Sequence, residues 1–281
     1  MSDKDNRGRL APFILAVCVL FLAVQPGEAS YFRQKESDID PNVFRIKEQD
    51  FMGVRVGRDV ALIDQDGAAR TLKDFEGKPT ILVWSYYTCD GSCSAVNIEL
   101  KTLLESVKNQ TLGEDYQVLT LSFDKNDTLE SLKAFRTYLD LPPEWEKNWT
   151  FALLQKPEQI DRLTARVGFK YFWAPQDKTF YHTNVFILLT PDGRVSRFLY
   201  ALTNTDKDVG LAILEARQGD FKLNEVIDFA IGLCYSYNYE EGRYTYNIPL
   251  FVGLGALFIG LSMLLGSVLL FRKKKFNKEG T

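Results

Sequence analysis

The chain has 281 residues, of which 46% are hydrophobic, and this is enough for one medium-sized domain with additional segments. It carries 34 lysines and arginines against 37 acidic residues, a net charge of −3, so the basic surface that nucleic-acid binding requires is not expected. Four cysteines are too few for a disulfide-built scaffold, and their positions therefore matter more than their number.

Residues 1–29 predict a secretory signal peptide. Basic residues precede a short apolar stretch at 10–24, and Gly27 and Ala29 occupy the −3 and −1 positions of a cleavage site. The apolar stretch is short for a membrane-spanning helix, although an uncleaved anchor is the alternative interpretation. The polar and charged residues 30–50 follow and are interpreted as a tether.

Residues 51–235 have an α/β pattern. A small hairpin is expected at 60–67, and the apolar run 80–86 is typical of a buried strand. Further strands are expected at 116–123, 150–154, 183–189 and 194–200, and further helices after Cys93, at 128–139, from Pro157 onward and at 206–217. The order β-α-β-α followed by β-β-α, with a dithiol after the first main strand, is that of the thioredoxin fold.

The C-terminal residues predict a transmembrane helix. The uncharged run 249–271 would extend about 34 Å as a helix, enough to cross a bilayer, and the basic tail 272–281 follows it directly. The positive-inside rule then makes the tail cytoplasmic and puts the domain on the opposite side. We expect a bacterial cytoplasmic membrane protein whose domain is extracytoplasmic (periplasmic).

The tyrosine-rich residues 236–248 precede this helix and are interpreted as a juxtamembrane aromatic segment, in which Tyr237 and Tyr239 resemble an interfacial belt. Cys234 lies just before the segment. Its role stays open, because a single remaining cysteine in an exported protein can pair with another chain or be reactive.

Cys89 and Cys93 lie where the predicted strand ends and a helix begins. The helix dipole favours a thiolate at such a position, whereas the intervening Asp90 weakly opposes it. Three intervening residues on a first helical turn bring the two sulfur atoms within reach of a disulfide or of one metal ion. A purely structural disulfide is the simpler alternative, although so small a loop adds little stability.

His182 is the single histidine of the chain and precedes an apolar strand. In a thioredoxin-like fold, the loop that enters this strand faces the dithiol. Thiolates favour Cu(I) among biological ions and imidazole is compatible with it, whereas zinc normally takes four ligands. A metal-ligand role therefore stands beside the simpler interpretation of an ordinary hydrogen-bonded histidine.

At these positions the chain resembles the Sco/SenC family, the copper-binding assembly factors of cytochrome c oxidase, over roughly residues 50–217. The resemblance rests on Tyr87-Thr88-Cys89-Asp90-Gly91-Ser92-Cys93, on Leu121-Ser122-Phe123-Asp124 followed by Asp127-Thr128, and on Tyr181-His182-Thr183 with Pro191-Asp192-Gly193 beyond it. Two features depart from the family. Asp90 and Ser94 stand where a proline usually follows each cysteine, and the usual membrane anchor is N-terminal.

The resemblance implies that Cys89, Cys93 and His182 are ligands of Cu(I) or Cu(II), and that Asp124 lies near them. It also implies that the two cysteines form a redox-active pair, cycling between dithiol and disulfide. The function expected is that of a metallochaperone, which delivers copper to the binuclear site of cytochrome c oxidase subunit II or to another copper-acceptor protein.

The main alternative is a thiol–disulfide oxidoreductase that reduces the cysteines of a copper acceptor. His182 favours the metallochaperone, because thioredoxin-type reductases do not need this residue and normally have two residues between their cysteines. A peroxiredoxin is a weaker third choice, since its Pro-x-x-x-Thr-x-x-Cys arrangement does not surround Cys89.

Overall fold

The structure, a computed structural model, describes residues 41–89, 92–217, 235–239 and 242–279. The predicted signal peptide and Cys234 lie outside these ranges.

Strands and helices alternate through most of the domain. The described strands are β1 (Ala61–Asp64), β2 (Ala69–Thr71), β3 (Thr80–Ser85), β4 (Gln117–Ser122), β5 (Trp149–Leu154), β6 (Tyr171–Ala174), β7 (Thr179–His182), β8 (Val185–Leu189), β9 (Val195–Tyr200), β10 (Tyr235–Asn238) and β11 (Arg243–Tyr246). The described helices are α1 (Ser92–Ser106), α2 (Leu129–Leu139), α3 (Ile160–Arg166), α4 (Asp206–Ala216) and α5 (Ile248–Glu279).

Seven strands form one sheet in the order β2-β1-β5-β4-β3-β8-β9. The strands β3, β4 and β5 are parallel, and β8 is antiparallel to β3. Every residue of β3 and β8 is buried, as expected for central strands covered on both faces. The predicted mixed α/β, thioredoxin-like architecture is therefore confirmed.

The hairpin β6–β7 was not expected from the sequence. It inserts an aromatic two-stranded sheet before β8, so that His182 is the last residue of β7, where the sequence suggested a loop. Its strands have four residues each and carry no clear alternation of polar and apolar side chains. Short strands of this kind give little periodic signal.

The C-terminal boundary predicted for the tether, residue 50, is too late, because the folded domain begins before it. Ile46 belongs to the hydrophobic core with 3% of its surface exposed, and Glu48 is also buried. The ring of Phe44 stacks on that of Phe172, with 5.5 Å between the ring centroids. Residues 44–50 are thus part of the folded domain, which a polar composition alone did not indicate.

The tyrosine-rich hairpin β10–β11 also packs on the domain, which the interpretation as a juxtamembrane aromatic segment did not include. The Arg197 guanidinium on β9 lies 4.3 Å from the centroid of the Tyr237 ring and forms an ion pair with Glu215. The backbone N–H of Tyr244 donates to Asp208 Oδ1 at 3.0 Å. These contacts fix the hairpin to β9 and α4.

The helix α5 follows after a single residue, Asn247. Its segment Ile248–Val268 has 21 residues with a mean hydropathy of 2.3 and is not buried against the domain. Within the part of the chain that the structure describes, this is one helix long and apolar enough to cross a membrane, in agreement with the predicted span at 249–271.

Glu48 generates a prediction about stability. Burial raises the pKa of its carboxyl to about 7 from 4.5, although the Tyr237 hydroxyl and Arg197 act in the opposite direction. The folded chain therefore keeps a proton between pH 4.5 and about 7 that the unfolded chain releases, so stability falls as pH rises through this window.

We expect Glu48→Gln to remove this fall and to make the chain more stable than the wild type at about pH 8, by about 2 kcal/mol after allowance for solvent screening. Urea unfolding of the full chain in detergent at several pH values measures this difference. Glu114→Gln, at an exposed position, is the matched control. An equal pH dependence in wild type and Glu48→Gln would contradict the assignment.

Candidate metal centre

The candidate centre lies at one edge of the main sheet. Val83 of β3 pairs with Phe186 of β8 in an antiparallel register, so the end of β3 and the start of β8 lie at the same edge. Cys89 follows β3, and His182 precedes β8. Topology therefore brings these two sequence-predicted residues to one edge.

A buried tyrosine anchors the turn that carries Cys89. The Tyr87 hydroxyl lies 2.8 Å from the Thr120 carbonyl oxygen and accepts from the backbone N–H of Ala152 at 3.2 Å. The Tyr87 backbone N–H donates to Asp127 Oδ2 at 2.7 Å. With both its ring and its backbone held, Tyr87 fixes the path of the chain into half-buried Cys89.

The helix that begins beside Cys93 is held through buried Asn97. Asn97 Nδ2 donates to Ser85 Oγ at 2.7 Å, and its Oδ1 accepts from Thr120 Oγ1 at 3.0 Å. Buried polar groups that are hydrogen-bonded in this way help to fix a unique arrangement. Cys93 is the second residue of α1, but its side chain lies outside the part that the structure describes.

His182 is buried, with 8% of its surface exposed. Aromatic rings surround its imidazole, with centroid distances of 5.3 Å to Phe123, 6.0 Å to Phe169 and 6.4 Å to Tyr86. Its Nδ1 lies 3.2 Å from the carbonyl oxygen of Thr183. Because a carbonyl oxygen accepts, Nδ1 is the protonated nitrogen, and Nε2 of the neutral ring holds the lone pair that a metal ion needs.

Burial lowers the pKa of His182 below its ordinary value of 6.5, although the hydrogen bond to Thr183 acts in the opposite direction. The ring is therefore neutral at physiological pH, which is the state that binds metal.

Tyr86 connects the two candidate ligands. Its ring meets that of His182 edge-on, and its carbonyl oxygen accepts from the backbone N–H of Cys89 at 3.4 Å. Within the described residues, no group of three or more His, Cys, Asp or Glu side chains is arranged to hold a metal ion. The side chain of Cys93 lies outside the described part of the chain. The ligand set Cys89, Cys93 and His182 therefore stays a prediction.

Asp124 has a local role in this structure. Its Oδ1 accepts from the backbone N–H and the side-chain Nδ2 of Asn126, both at 2.9 Å. These are the bonds of a capped loop, which is the simpler interpretation of an aspartate that follows a strand. The role near the metal remains a prediction.

Asp127 belongs to the sequence motif, but its role at the cysteine turn was not predicted. Its carboxylate accepts from Tyr87 N–H, from Ser122 Oγ at 2.5 Å and from Ser131 Oγ at 3.1 Å. Burial raises the pKa of this carboxyl, and its hydrogen bonds to Ser122, Tyr87 and Ser131 partly offset the effect. In the sequence, Asp127 precedes Thr128, the helix cap, and no local signal links it to the cysteine turn.

The family model described as SCO1/SenC matches residues 50–213, more than half of the chain. Among curated proteins, SCO1 homolog 1 of Arabidopsis thaliana, a mitochondrial protein, is 24% identical over 226 residues, which cover 77% of this chain. The chain spans 65% of the length of that relative.

Two solved structures are similar to this chain, and the first shares its fold. A candidate electron transfer protein from Aquifex aeolicus VF5 is 26% identical with a TM-score of 0.54, covering 60% of this chain and 96% of that one. ScoI of Arabidopsis thaliana, solved with copper bound, is 22% identical with a TM-score of 0.48, covering 59% of this chain and 99% of that one.

We expect Asp127→Ala to lower the free energy of unfolding by about 1–3 kcal/mol, because it leaves the buried Tyr87 N–H without its acceptor. Asp124→Ala removes bonds within an exposed loop and is the matched control, with a smaller expected loss. Denaturant unfolding of both variants measures the difference. Equal losses would show that Asp127 does not hold the cysteine turn more firmly than an ordinary loop cap does.

Proposed function

We propose, since this chain belongs to the SCO1/SenC family, that it is a membrane-anchored copper metallochaperone. In this proposal Cys89, Cys93 and His182 bind copper, and the acceptor is subunit II of cytochrome c oxidase or another protein with a thiol-containing copper site. Copper is the cargo of the protein.

One observation carries the proposal: a buried, neutral His182 whose Nδ1 is fixed by a carbonyl lies at the same sheet edge as the turn that holds Cys89. Burial among aromatic rings disfavours the charged form of a histidine, and the neutral ring is the form that binds a metal ion. Two thiolates and one imidazole make a soft donor set that favours Cu(I).

A three-coordinate site also suits delivery. Cu(I) tolerates low coordination numbers, so a thiolate from an acceptor protein could bind before a donor ligand leaves. Cys89 is half-buried, whereas His182 is almost fully buried. We therefore infer that the acceptor approaches from the cysteine side and that His182 remains in place during the exchange.

The helix α5 supplies the proposed anchor. Basic residues follow its apolar segment, and the positive-inside rule then places the domain on the extracytoplasmic side. In a bacterium this side is the periplasm, where an oxidising environment makes the redox state of Cys89 and Cys93 important.

A thiol–disulfide oxidoreductase is the second candidate, because Cys89 lies just before α1 and Cys93 lies in its first turn. A helix N-terminus stabilises a thiolate, which is the form that attacks a disulfide. Such an enzyme would not need His182, so variants of this residue separate the two functions.

We expect His182→Ala to weaken Cu(I) binding by more than about 100-fold while the fold is retained, because the site loses a ligand. Competition titration of the reduced full chain against a chromogenic Cu(I) chelator measures the affinity, with Tyr181→Ala as the neighbouring control. Undiminished affinity in His182→Ala would refute the ligand assignment. Thiol reduction that depends on His182 would argue against the separation of the two functions.

Removal of residues 247–281 is expected to release the domain from the membrane, because α5 contains the apolar span. The measurement is fractionation of cells into soluble and membrane parts, followed by copper binding of the released fragment. A fragment that still behaves as an integral membrane protein would show that the N-terminal apolar stretch is an uncleaved anchor.

A further inference from the structure

A cavity of about 340 Å³ lies between the end of α1, the helix α4 and the hairpin β10–β11. Its volume is within the range of small-molecule sites. Its wall includes the apolar residues Val107, Leu211 and Leu214, together with Tyr235 of β10. The proposed copper ligands are not among its lining residues, so this is a separate feature of the molecule.

More basic than acidic side chains line the cavity, which also contains a buried hydrogen-bond acceptor. Lys108 and Lys207 line it from two different elements, and Asp206 is the one acidic residue among its lining residues. Gln110 Nε2 donates to the Gly210 carbonyl at 3.0 Å, but its Oε1 is buried and has no hydrogen-bond partner within the described ranges. A buried acceptor of this kind costs free energy until a donor reaches it.

Aromatic contacts connect the cavity to the first turn of α5. The ring of Tyr235 stacks on that of Tyr246 at 5.1 Å, and Tyr246 meets Phe251 of α5 at 6.4 Å between centroids. Asn247 caps the helix, since its Oδ1 accepts from the backbone N–H of Leu250 at 3.3 Å. Two ring contacts, Tyr235 with Tyr246 and Tyr246 with Phe251, therefore link the cavity to the start of the proposed membrane span.

The hairpin that makes this connection is firmly held. Arg197 contacts the Tyr237 ring and pairs with Glu215, and the Tyr244 hydroxyl donates to the same carboxylate at 2.5 Å. Because hairpin and helix are joined without a flexible linker, anchoring the helix would hold the cavity at the level of the lipid headgroups.

We propose that this cavity binds the headgroup of an anionic membrane phospholipid that carries free hydroxyls, of the phosphatidylglycerol type. Lys108 and Lys207 receive the phosphodiester, and a headgroup hydroxyl donates to Gln110 Oε1. The apolar wall formed by Val107, Leu211 and Leu214 accommodates the glycerol backbone and the start of an acyl chain. This inference rests on the proposed membrane anchoring and not on the copper ligands.

The test is hydrogen–deuterium exchange of the full chain in nanodiscs of phosphatidylcholine alone or with phosphatidylglycerol added. We expect phosphatidylglycerol to slow exchange in peptides from α4 by about tenfold, since ligand bound to the folded state suppresses local opening. Exchange at α4 is read out separately from the basic tail beyond α5, which also attracts anionic lipid.

Two kinds of variant locate the effect. Lys108→Gln with Lys207→Gln should lose the protection, whereas the control pair Lys125→Gln with Lys133→Gln, at exposed positions elsewhere on the domain, should keep it. Gly210→Leu fills the cavity with no change of charge, because a Cβ at this position has only ordinary contacts, the nearest at 3.9 Å from Gln110 Oε1. It should also lose the protection.

Equal exchange with and without phosphatidylglycerol would overturn the proposal, as would full protection of Gly210→Leu. Equal protection by soluble glycerol phosphate added to phosphatidylcholine discs would overturn the assignment to a membrane lipid. A chain that fails to enter the discs would refute both membrane anchoring and this inference. A chain that enters the discs without protection by phosphatidylglycerol would refute the inference alone and leave the proposed function intact.

Discussion

The antiparallel register between β3 and β8 is the constraint on which the candidate centre depends. It puts Val83 opposite Phe186, and the chain can then place Cys89 and His182 at one edge although 92 residues lie between them. Both strands are entirely buried, so a slip of one residue would disturb packing on both faces of the sheet. The register between β3 and β8 therefore determines both the packing of the core and the geometry of the candidate site.

The two sides of the site are built differently. His182 is fixed by a backbone carbonyl and by aromatic rings from three separate loops, while Cys89 depends on a turn that Tyr87 and Asp127 hold by hydrogen bonds. A neutral, hydrogen-bonded imidazole and a half-buried thiol at the same edge of the sheet suit the proposed binding and release of copper. The resemblance in sequence and this arrangement support the same proposed function.

Much of the domain could be predicted from the sequence, because buried strands and amphipathic helices leave periodic patterns. Residues 80–86 and 183–189 were recognised as strands in this way, and the cysteine spacing and single histidine indicated the site. The hairpin ending at His182 and the role of Asp127 could not be predicted. The strands of the hairpin have only four residues each, too few for a clear periodic signal. Asp127 acts through a contact with the Tyr87 backbone, 40 residues away in the sequence, which no local pattern records.

The proposed copper centre requires two thiolates and one imidazole of this chain to bind one copper ion together. X-ray absorption spectroscopy of the reduced, Cu(I)-loaded full chain identifies the atoms around the copper. We expect a three-coordinate copper with two sulfur neighbours and one nitrogen neighbour, and we expect the nitrogen to be absent in His182→Ala. Copper surrounded by sulfur alone in the wild type, or a nitrogen that persists in His182→Ala, would contradict the proposed centre.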